Sequence, residues 1–137
     1  MTVNDVLRRR ADRALAVPLL RDLGVVLLDE TEPARGVGFT VTPNALNAAG
    51  WLHAGVIATV LEAAAYLAMI EALAPDEDAI THAFAASYLA AVGPGEELQA
   101  GAELLRRGGH LAFVSAELRS RERLIAMASV TKSLRLV

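Results

Sequence analysis

The segment from Ala54 to Ala74 is the feature that most constrains how this chain can fold. It consists mainly of Ala, Val, Ile, Leu and Met, and its only charged residues are Glu62 and Glu71. The pattern predicts a helix from about Ala54 to Leu73, which Pro75 ends. A helix that is apolar around most of its circumference must be buried, either in lipid or under the rest of the chain. Because carboxylates are costly in lipid, we expect no membrane insertion.

The rest of the chain supplies the material that would cover this helix. A helix is predicted from Asn4 to about Leu20, with Pro18 ending or kinking it. Six segments are predicted as strands: Leu23 to Thr31, Arg35 to Thr42, Ile80 to Val92, Glu97 to Arg106, Leu111 to Ser120 and Leu124 to Leu136. Their separators, including Gly93-Pro94-Gly95, are typical of hairpin turns. The sequence therefore predicts one α+β domain over 1–137, in which a six-stranded antiparallel sheet wraps the long helix.

Composition and charge exclude several classes of function. The chain of 137 residues has no cysteine, which excludes disulfides and a thiol nucleophile, and its three histidines form no metal-binding motif. We expect a cytoplasmic protein without a cofactor. Seven basic residues lie between Arg106 and the C-terminus, but a nucleic-acid interface usually has a denser basic face with aromatic residues for stacking. They are either a solvated face or, as with Arg121, Arg123 and Lys132, contacts for an anionic ligand.

A narrow polar stripe runs along the long helix. At about 100° per residue, Gly55, Thr59, Glu62 and Tyr66 fall on one side, and the remainder is almost entirely apolar. A carboxylate in apolar surroundings is costly unless it is paired or neutralised. Glu62 is therefore either a catalytic carboxylate or the edge of a thin solvent-facing strip, and the spacing alone favours neither.

The loop before the helix offers a partner for that carboxylate. Asn47 and Gly50 permit a tight loop, and His53 stands where the helix begins, beside backbone N–H groups that can polarise a carbonyl. A histidine at this position is more often a cap than a catalyst. Glu62 lies two turns further along and cannot reach the start of its own helix. In a dimer with paired helices, however, it can face the helix start of the other subunit.

These residues resemble a known family. The pattern N-x-x-G-x-x-H-x-G, followed nine positions after its histidine by an acid, is similar to that of PaaI-type hot-dog acyl-CoA thioesterases; here it comprises Asn47, Gly50, His53, Gly55 and Glu62. The resemblance implies that Glu62 is a general base or nucleophile, that the Ala54 N–H polarises the thioester carbonyl, and that Asn47 positions water or substrate. It also suggests Thr81, after the helix, as a substrate contact.

The resemblance also implies partners and leaves alternatives. The expected ligand is an acyl-CoA, with its acyl group near Trp51 and Tyr66. The open edge strands of the predicted sheet favour a homodimer with a continuous sheet, which we expect to pair into a dimer of dimers. The chain departs from the family's usual His-Gly-Gly in having His53-Ala54-Gly55. A hot-dog dehydratase is disfavoured, because its pattern has a longer spacing from histidine to acid. A hot-dog protein that binds acyl-CoA without catalysis stays open.

Overall fold

The N-terminus forms two helices. The computed structural model describes residues 1–137, and α1 spans Val3–Leu15, where Thr2 and Asp5 form a reciprocal capping box. The chain breaks before Pro18, which begins a second helix, α2 (Pro18–Asp22). The prediction of one helix to Leu20 is therefore wrong at this point. Proline lacks an N–H and is favoured in the first turn of a helix, so Pro18 starts α2 and does not merely bend α1.

One sheet and one long helix make up the rest. The helix α3 spans Ala54–Met69 and continues as a 3₁₀ turn over Ile70–Ala72. The sheet has six strands, all antiparallel to their neighbours, in the order β1-β2-β4-β5-β6-β3. These strands are β1 (Val26–Leu27), β2 (Val37–Thr40), β3 (Glu77–Tyr88), β4 (Glu97–Arg107), β5 (Leu111–Ser120) and β6 (Arg123–Leu136). The predicted architecture, including the N-terminal helix, is confirmed.

The first strand is much shorter than the sequence predicts. Only Val26 and Leu27 of the segment from Leu23 to Thr31 pair with β2. The Asp29 carboxylate accepts hydrogen bonds from the N–H and the hydroxyl of Thr31, at 2.8 and 2.6 Å. This local turn diverts the chain from the sheet, because a side chain that satisfies nearby backbone competes with strand pairing.

The segment Gly93-Pro94-Gly95 is not a hairpin turn, contrary to the prediction. The strand before it, β3, pairs with β6 at one edge of the sheet, whereas the strand after it, β4, lies between β2 and β5. The backbone of the connecting segment bonds elsewhere: Val92 accepts from the Leu52 N–H at 2.8 Å, and the Gly95 N–H donates to Val41 at 2.8 Å. The connection therefore crosses the molecule and braces the loop that precedes α3.

Small side chains allow α3 to lie close to the sheet. Its buried face includes Val60, Leu61, Ala64 and Leu67, all without solvent exposure. The facing strands contribute further small buried residues, namely Ala100, Ala112, Ala116, Ala126 and Ala128. The helix is long and apolar enough to cross a membrane by length and composition, but here it is the core helix packed on the sheet.

A single arginine of α1 holds the end of the long helix. The Arg10 guanidinium donates hydrogen bonds to the carbonyl oxygens of Ile70, Leu73, Ala74 and Glu77, at 2.7 to 3.2 Å. The last carbonyls of a helix have no partner within it, and a cation there is also favoured by the helix dipole. Arg10 therefore fixes α1 to the C-terminal end of the core helix.

We expect Arg10→Met to lower the free energy of unfolding by about 2 kcal/mol, because several partly buried carbonyls lose a charged donor. The measurement is urea denaturation at neutral pH. Arg9→Met is the matched control, since Arg9 is exposed and its one hydrogen bond is to the Met1 sulfur at 3.8 Å. Equal denaturation midpoints for the two variants would contradict this role of Arg10.

Candidate active site

Glu62 lies at the wall of a cleft. The cleft has a volume of about 690 Å³ and is bounded by α3, by β3 and by the two N-terminal helices. Thr59, Glu62 and Tyr66 line it from α3, so three of the four residues of the predicted polar stripe face one space, and Gly55 does not line it. The Glu62 side chain is 41% exposed. The carboxylate is thus reachable from solvent while its helix is otherwise buried.

The charge of Glu62 is balanced by a lysine from the sheet. The Lys132 ammonium donates a hydrogen bond to Glu62 Oε1, and the Thr81 hydroxyl donates to the same oxygen at 2.6 Å. The other oxygen, Oε2, has no hydrogen-bond partner in the chain. The carboxylate is therefore held through one oxygen, and its second oxygen is available to another molecule.

Lys132 is buried, with its side chain 1% exposed. This position contradicts the expectation that it contacts the phosphates of CoA, because its ammonium is enclosed between the sheet and α3. The strand explains the placement: Ala126, Ala128, Val130 and Lys132 alternate along β6 and all face inward. That alternation was visible in the sequence, and it was the signal that could have placed Lys132 in the core.

Thr81 reaches Glu62 because of the strand register. It lies directly opposite Lys132 in the pairing of β3 with β6, and the register then shifts between Thr81 and Ala83. The irregularity inserts His82 as an extra residue and lets Phe84 return to the inner face, opposite Val130. The structure thus brings Glu62, Thr81 and Lys132 together. The sequence analysis named all three residues but did not predict that they contact one another.

A second polar group closes one end of the cleft. The Tyr66 hydroxyl donates to Asp78 at 3.1 Å, and Arg13 from α1 pairs with the same carboxylate at 3.0 Å. Burial, followed by the charge of Asp78, raises the pKa of Tyr66. Burial alone would raise the pKa of Asp78, but hydrogen bonds from the Ala79 N–H and Tyr66, with Arg13 nearby, lower it overall. Tyr66 therefore remains a neutral donor and Asp78 an anionic acceptor.

Asp78 and Arg13 were not identified from the sequence. Asp78 lies between the predicted end of the long helix at Pro75 and the predicted strand from Ile80, whereas in the structure it belongs to β3, which begins at Glu77. Arg13 lies far away in sequence, on α1. Only the tertiary packing of α1 beside β3 joins the two residues, so no local pattern could have paired them.

The loop before α3 is braced by Asn47. Its side-chain oxygen accepts from the N–H groups of Ala49 and Trp51, at 3.0 and 3.1 Å. Gly50 within this loop has φ +86°, a left-handed conformation that glycine adopts without strain. Trp51 is half exposed and lies over Gly93. Asn47 therefore shapes the loop, and only its amide N–H₂ group stays free for a ligand.

His53 is the N-cap of α3, the structural role that the sequence favoured. Its Nδ1 accepts from the Gly55 N–H at 2.8 Å, and its carbonyl accepts from Val56 and Ile57 at 3.0 and 3.1 Å. A side chain at Gly55 would press on the imidazole, since a Cβ would lie 3.1 Å from Nδ1. The Ala54 N–H is then the one donor of the first turn without a partner, and Ala54 is exposed.

The two halves of the expected site are separated within one chain. Ala54 and Glu62 are eight residues apart on α3, which places them about 12 Å apart along the helix axis. Asn47, Trp51, His53 and Gly55 group with Ala54 at the helix start, and Tyr66, Thr81 and Lys132 group with Glu62. One substrate carbonyl cannot contact both groups in a single chain.

The two remaining candidates lie at the turn between β5 and β6. Arg121 has φ +55° in this turn, and Arg123 approaches Glu96 at 3.5 Å. Glu96 follows the crossing segment that braces the loop before α3, since Val92 accepts from Leu52. Both arginines are exposed and stand at the same end of the molecule as the helix start.

Comparison with known proteins identifies the family. Residues 49–126, more than half of the chain and including the helix start, all of α3 and most of the sheet, match the family described as the thioesterase superfamily. The chain belongs to the thioesterase superfamily. No curated protein matches the sequence.

Several solved structures share the fold of this thioesterase-superfamily chain. A phenylacetic acid degradation-related protein from Ralstonia eutropha JMP134 is 24% identical, with a TM-score of 0.78 over 93% of this chain and 98% of its own. PaaI from the phenylacetic acid degradation operon of E. coli is 18% identical, with a TM-score of 0.82 over 96% and 95%. BH2602 from Bacillus halodurans, solved with CoA, is 20% identical, with a TM-score of 0.79 over 96% and 84%. The predicted hot-dog fold and the resemblance to PaaI-type proteins are confirmed at this level.

We expect Glu62→Ala to destabilise the protein by about 3 kcal/mol, because it leaves the buried Lys132 ammonium without a carboxylate. Adding Lys132→Met should restore part of this loss, since the stranded charge is then gone. Glu71→Ala, at an exposed glutamate just after α3, is the control and should change little. Urea denaturation of the wild type, these three variants and Lys132→Met alone measures the coupling. A Glu62→Ala loss no larger than that of Glu71→Ala would rule the pairing out.

Proposed function

We propose that the protein hydrolyses acyl-CoA thioesters at a site shared by two copies of the chain. The observation that carries this proposal is that α3 holds two complementary functional groups, a carboxylate and a free N–H, at separate places along its length. Glu62 presents an unbonded carboxylate oxygen to a cleft, and Ala54 presents an unbonded N–H about 12 Å away along the helix. Two antiparallel copies of α3 would bring each carboxylate to the helix start of the other.

The proposed reaction begins at the thioester carbonyl. The carbonyl oxygen accepts a hydrogen bond from the Ala54 N–H, which stabilises the negative charge that develops there. Glu62 of the partner subunit takes a proton from water, and the water oxygen bonds to the carbonyl carbon. The C–S bond then breaks, and the departing thiolate of CoA takes up the proton. The products are a carboxylic acid and free CoA.

A nucleophilic route uses the same residues. Glu62 attacks the carbonyl carbon directly, the CoA thiolate leaves, and a mixed anhydride joins the acyl group to the enzyme. Water then hydrolyses the anhydride and restores the carboxylate. Both routes need one oxygen of Glu62 to face the substrate, and the ion pair with Lys132 engages only the other oxygen.

The open edge of the sheet supports the dimer. The strand β3 has twelve residues, pairs with β6 on one side and has no partner strand on the other. Long unpaired edges invite pairing with another chain. Ile80, Tyr88 and Leu89 at or just beyond this edge are about half exposed. Pairing of two β3 strands would join the sheets and set the two α3 helices side by side. The dimer of dimers, the single domain and the cytoplasmic location stay predictions.

The proposed substrate contacts follow from the two ends of the site. The acyl group would lie in the cleft beside Tyr66 of the subunit that supplies Glu62 and near Trp51 and Gly55 of the subunit that supplies Ala54, whose Asn47 would help to position water. Arg121 and Arg123, exposed at the same end as the helix start, are the proposed phosphate contacts. That a structural neighbour from Bacillus halodurans was solved with CoA supports this ligand class.

A non-catalytic acyl-CoA-binding protein is the second candidate. The observation in its favour is the ion pair itself, because a carboxylate that neutralises a buried lysine already has a structural use. The unbonded Oε2 and the exposure of Glu62 favour catalysis, since a purely structural partner would not need either.

We expect the wild-type protein to hydrolyse members of a panel of aliphatic and aromatic acyl-CoA esters, and Glu62→Gln to lose about 10²-fold or more in kcat. Glutamine is preferred to alanine because its amide oxygen can still accept from Lys132. Glu71→Gln is the matched control. Binding of a non-hydrolysable thioether analogue, measured by calorimetry, should survive in Glu62→Gln. Binding without turnover by the wild type would favour the second candidate and contradict the first.

A further inference from the structure

Lys132 is an unusual residue in this chain. It is the only lysine, and the other twelve of its thirteen basic side chains are arginines. It is also the only buried polar or charged residue. Its ammonium has one hydrogen-bond acceptor, Glu62 Oε1, and stands 5.5 Å from the centre of the Tyr66 ring. The one lysine is therefore committed to the carboxylate at the centre of the cleft.

Both donors to Glu62 bind the same oxygen. Thr81 and Lys132 approach Oε1 from the opposed strands β3 and β6, and neither contacts Oε2. Two donors on one oxygen fix the rotation of the carboxylate as well as its position. Oε2 is consequently held in one orientation and has no hydrogen-bond partner.

The choice of lysine suits this arrangement better than arginine would. A guanidinium presents a planar fork that tends to bind both oxygens of a carboxylate, whereas an ammonium is a compact charge that can bind one. An arginine at position 132 would keep the positive charge but engage Oε2 as well. Every other Lys or Arg position of the chain is an arginine, and the one lysine stands where Oε2 of Glu62 must stay free.

We propose that Lys132 is a positioning residue which, together with Thr81, holds Oε1 of Glu62 so that Oε2 is the oxygen presented to water or to the thioester carbon. This role rests on the proposed function, because it concerns how Glu62 reacts. It replaces a phosphate contact for Lys132, for which the side chain is too deeply buried.

The kinetic test compares acyl-CoA with the acyl-pantetheine ester of the same acid, which lacks the nucleotide. Lys132→Met should lower kcat by about 10-fold or more on both substrates, with KM changed less than about threefold. Arg121→Ala combined with Arg123→Ala should instead raise KM for acyl-CoA alone. A Lys132→Met effect confined to KM, or to acyl-CoA, would overturn the positioning role and restore the phosphate contact.

Coupling to Glu62 separates positioning from independent catalysis. If Lys132 acts through Glu62, Lys132→Met should lower kcat no further in a Glu62→Gln background. Thr81→Val should lower kcat in the same way, and Thr81→Ser should recover most of that loss. Lys132→Arg should lower kcat although it keeps the charge. If the kcat losses of Lys132→Met and Glu62→Gln multiply in the double variant, the proposal is overturned. If the Lys132 variants do not fold, the kcat values of Thr81→Val and Thr81→Ser decide the question.

The single lysine also permits a test without turnover. Protein labelled with ¹³C,¹⁵N-lysine gives one side-chain ammonium resonance by NMR, which needs no assignment. We expect this ammonium to be protected from exchange with water in the wild type and its resonance to shift in Glu62→Gln. An ammonium that exchanges as fast as free lysine would overturn the proposal.

Absence of thioester turnover by the wild type would overturn the proposed function and the positioning role together. Normal kcat in Lys132→Met would overturn the positioning role alone.

Discussion

The ion pair between Glu62 and Lys132 joins the two layers of the protein at the place where chemistry is expected. An ammonium with almost no exposure needs an anion close by, and Glu62 is the anion that the core helix supplies. The same contact fixes the rotation of α3 against β6, since another rotation would bury an unpaired charge. The need to pair the buried Lys132 ammonium therefore also orients the Glu62 carboxylate. Its Oε2 stays free because Lys132 and Thr81 both bind Oε1.

Other features of the fold serve this arrangement from both ends of the helix. His53 uses its ring nitrogen and its carbonyl to bind three N–H groups of the first turn, which leaves the Ala54 N–H as the free donor. Arg10 satisfies carbonyls at the far end and attaches α1, which forms a wall of the cleft. The helix therefore displays one donor and one carboxylate, too far apart to act on one carbonyl unless a second copy is present.

Sequence reasoning predicted most of the helix and part of the site. Apolar periodicity identified α3, the polar stripe identified Glu62 and Tyr66, and the position of His53 indicated a cap. These are local features, and local spacing determines them. The order of strands could not be predicted in this way. The Gly93-Pro94-Gly95 segment has the composition of a hairpin turn, but it connects two strands that are not neighbours in the sheet. Lys132 was misplaced because its basic neighbours suggested a solvated strand, although its alternation with Ala128 and Val130 indicated the inner face. Asp78 and Arg13 could not be paired without knowing how α1 packs.

The central claim is that each site takes Glu62 from one subunit and the Ala54 N–H from the other. Ala54→Pro removes only that N–H, because proline is tolerated at the first position of a helix and His53 already has an extended conformation, φ −67° and ψ 134°. The decisive measurement is the thioesterase rate of a mixed dimer of one Ala54→Pro chain and one Glu62→Gln chain. The two chains are coexpressed with different tags, and the mixed dimer is purified through both. Each parent should be nearly inactive, and the mixed dimer should recover about half of the wild-type rate through its one intact site. A mixed dimer as inactive as its parents would contradict a shared site.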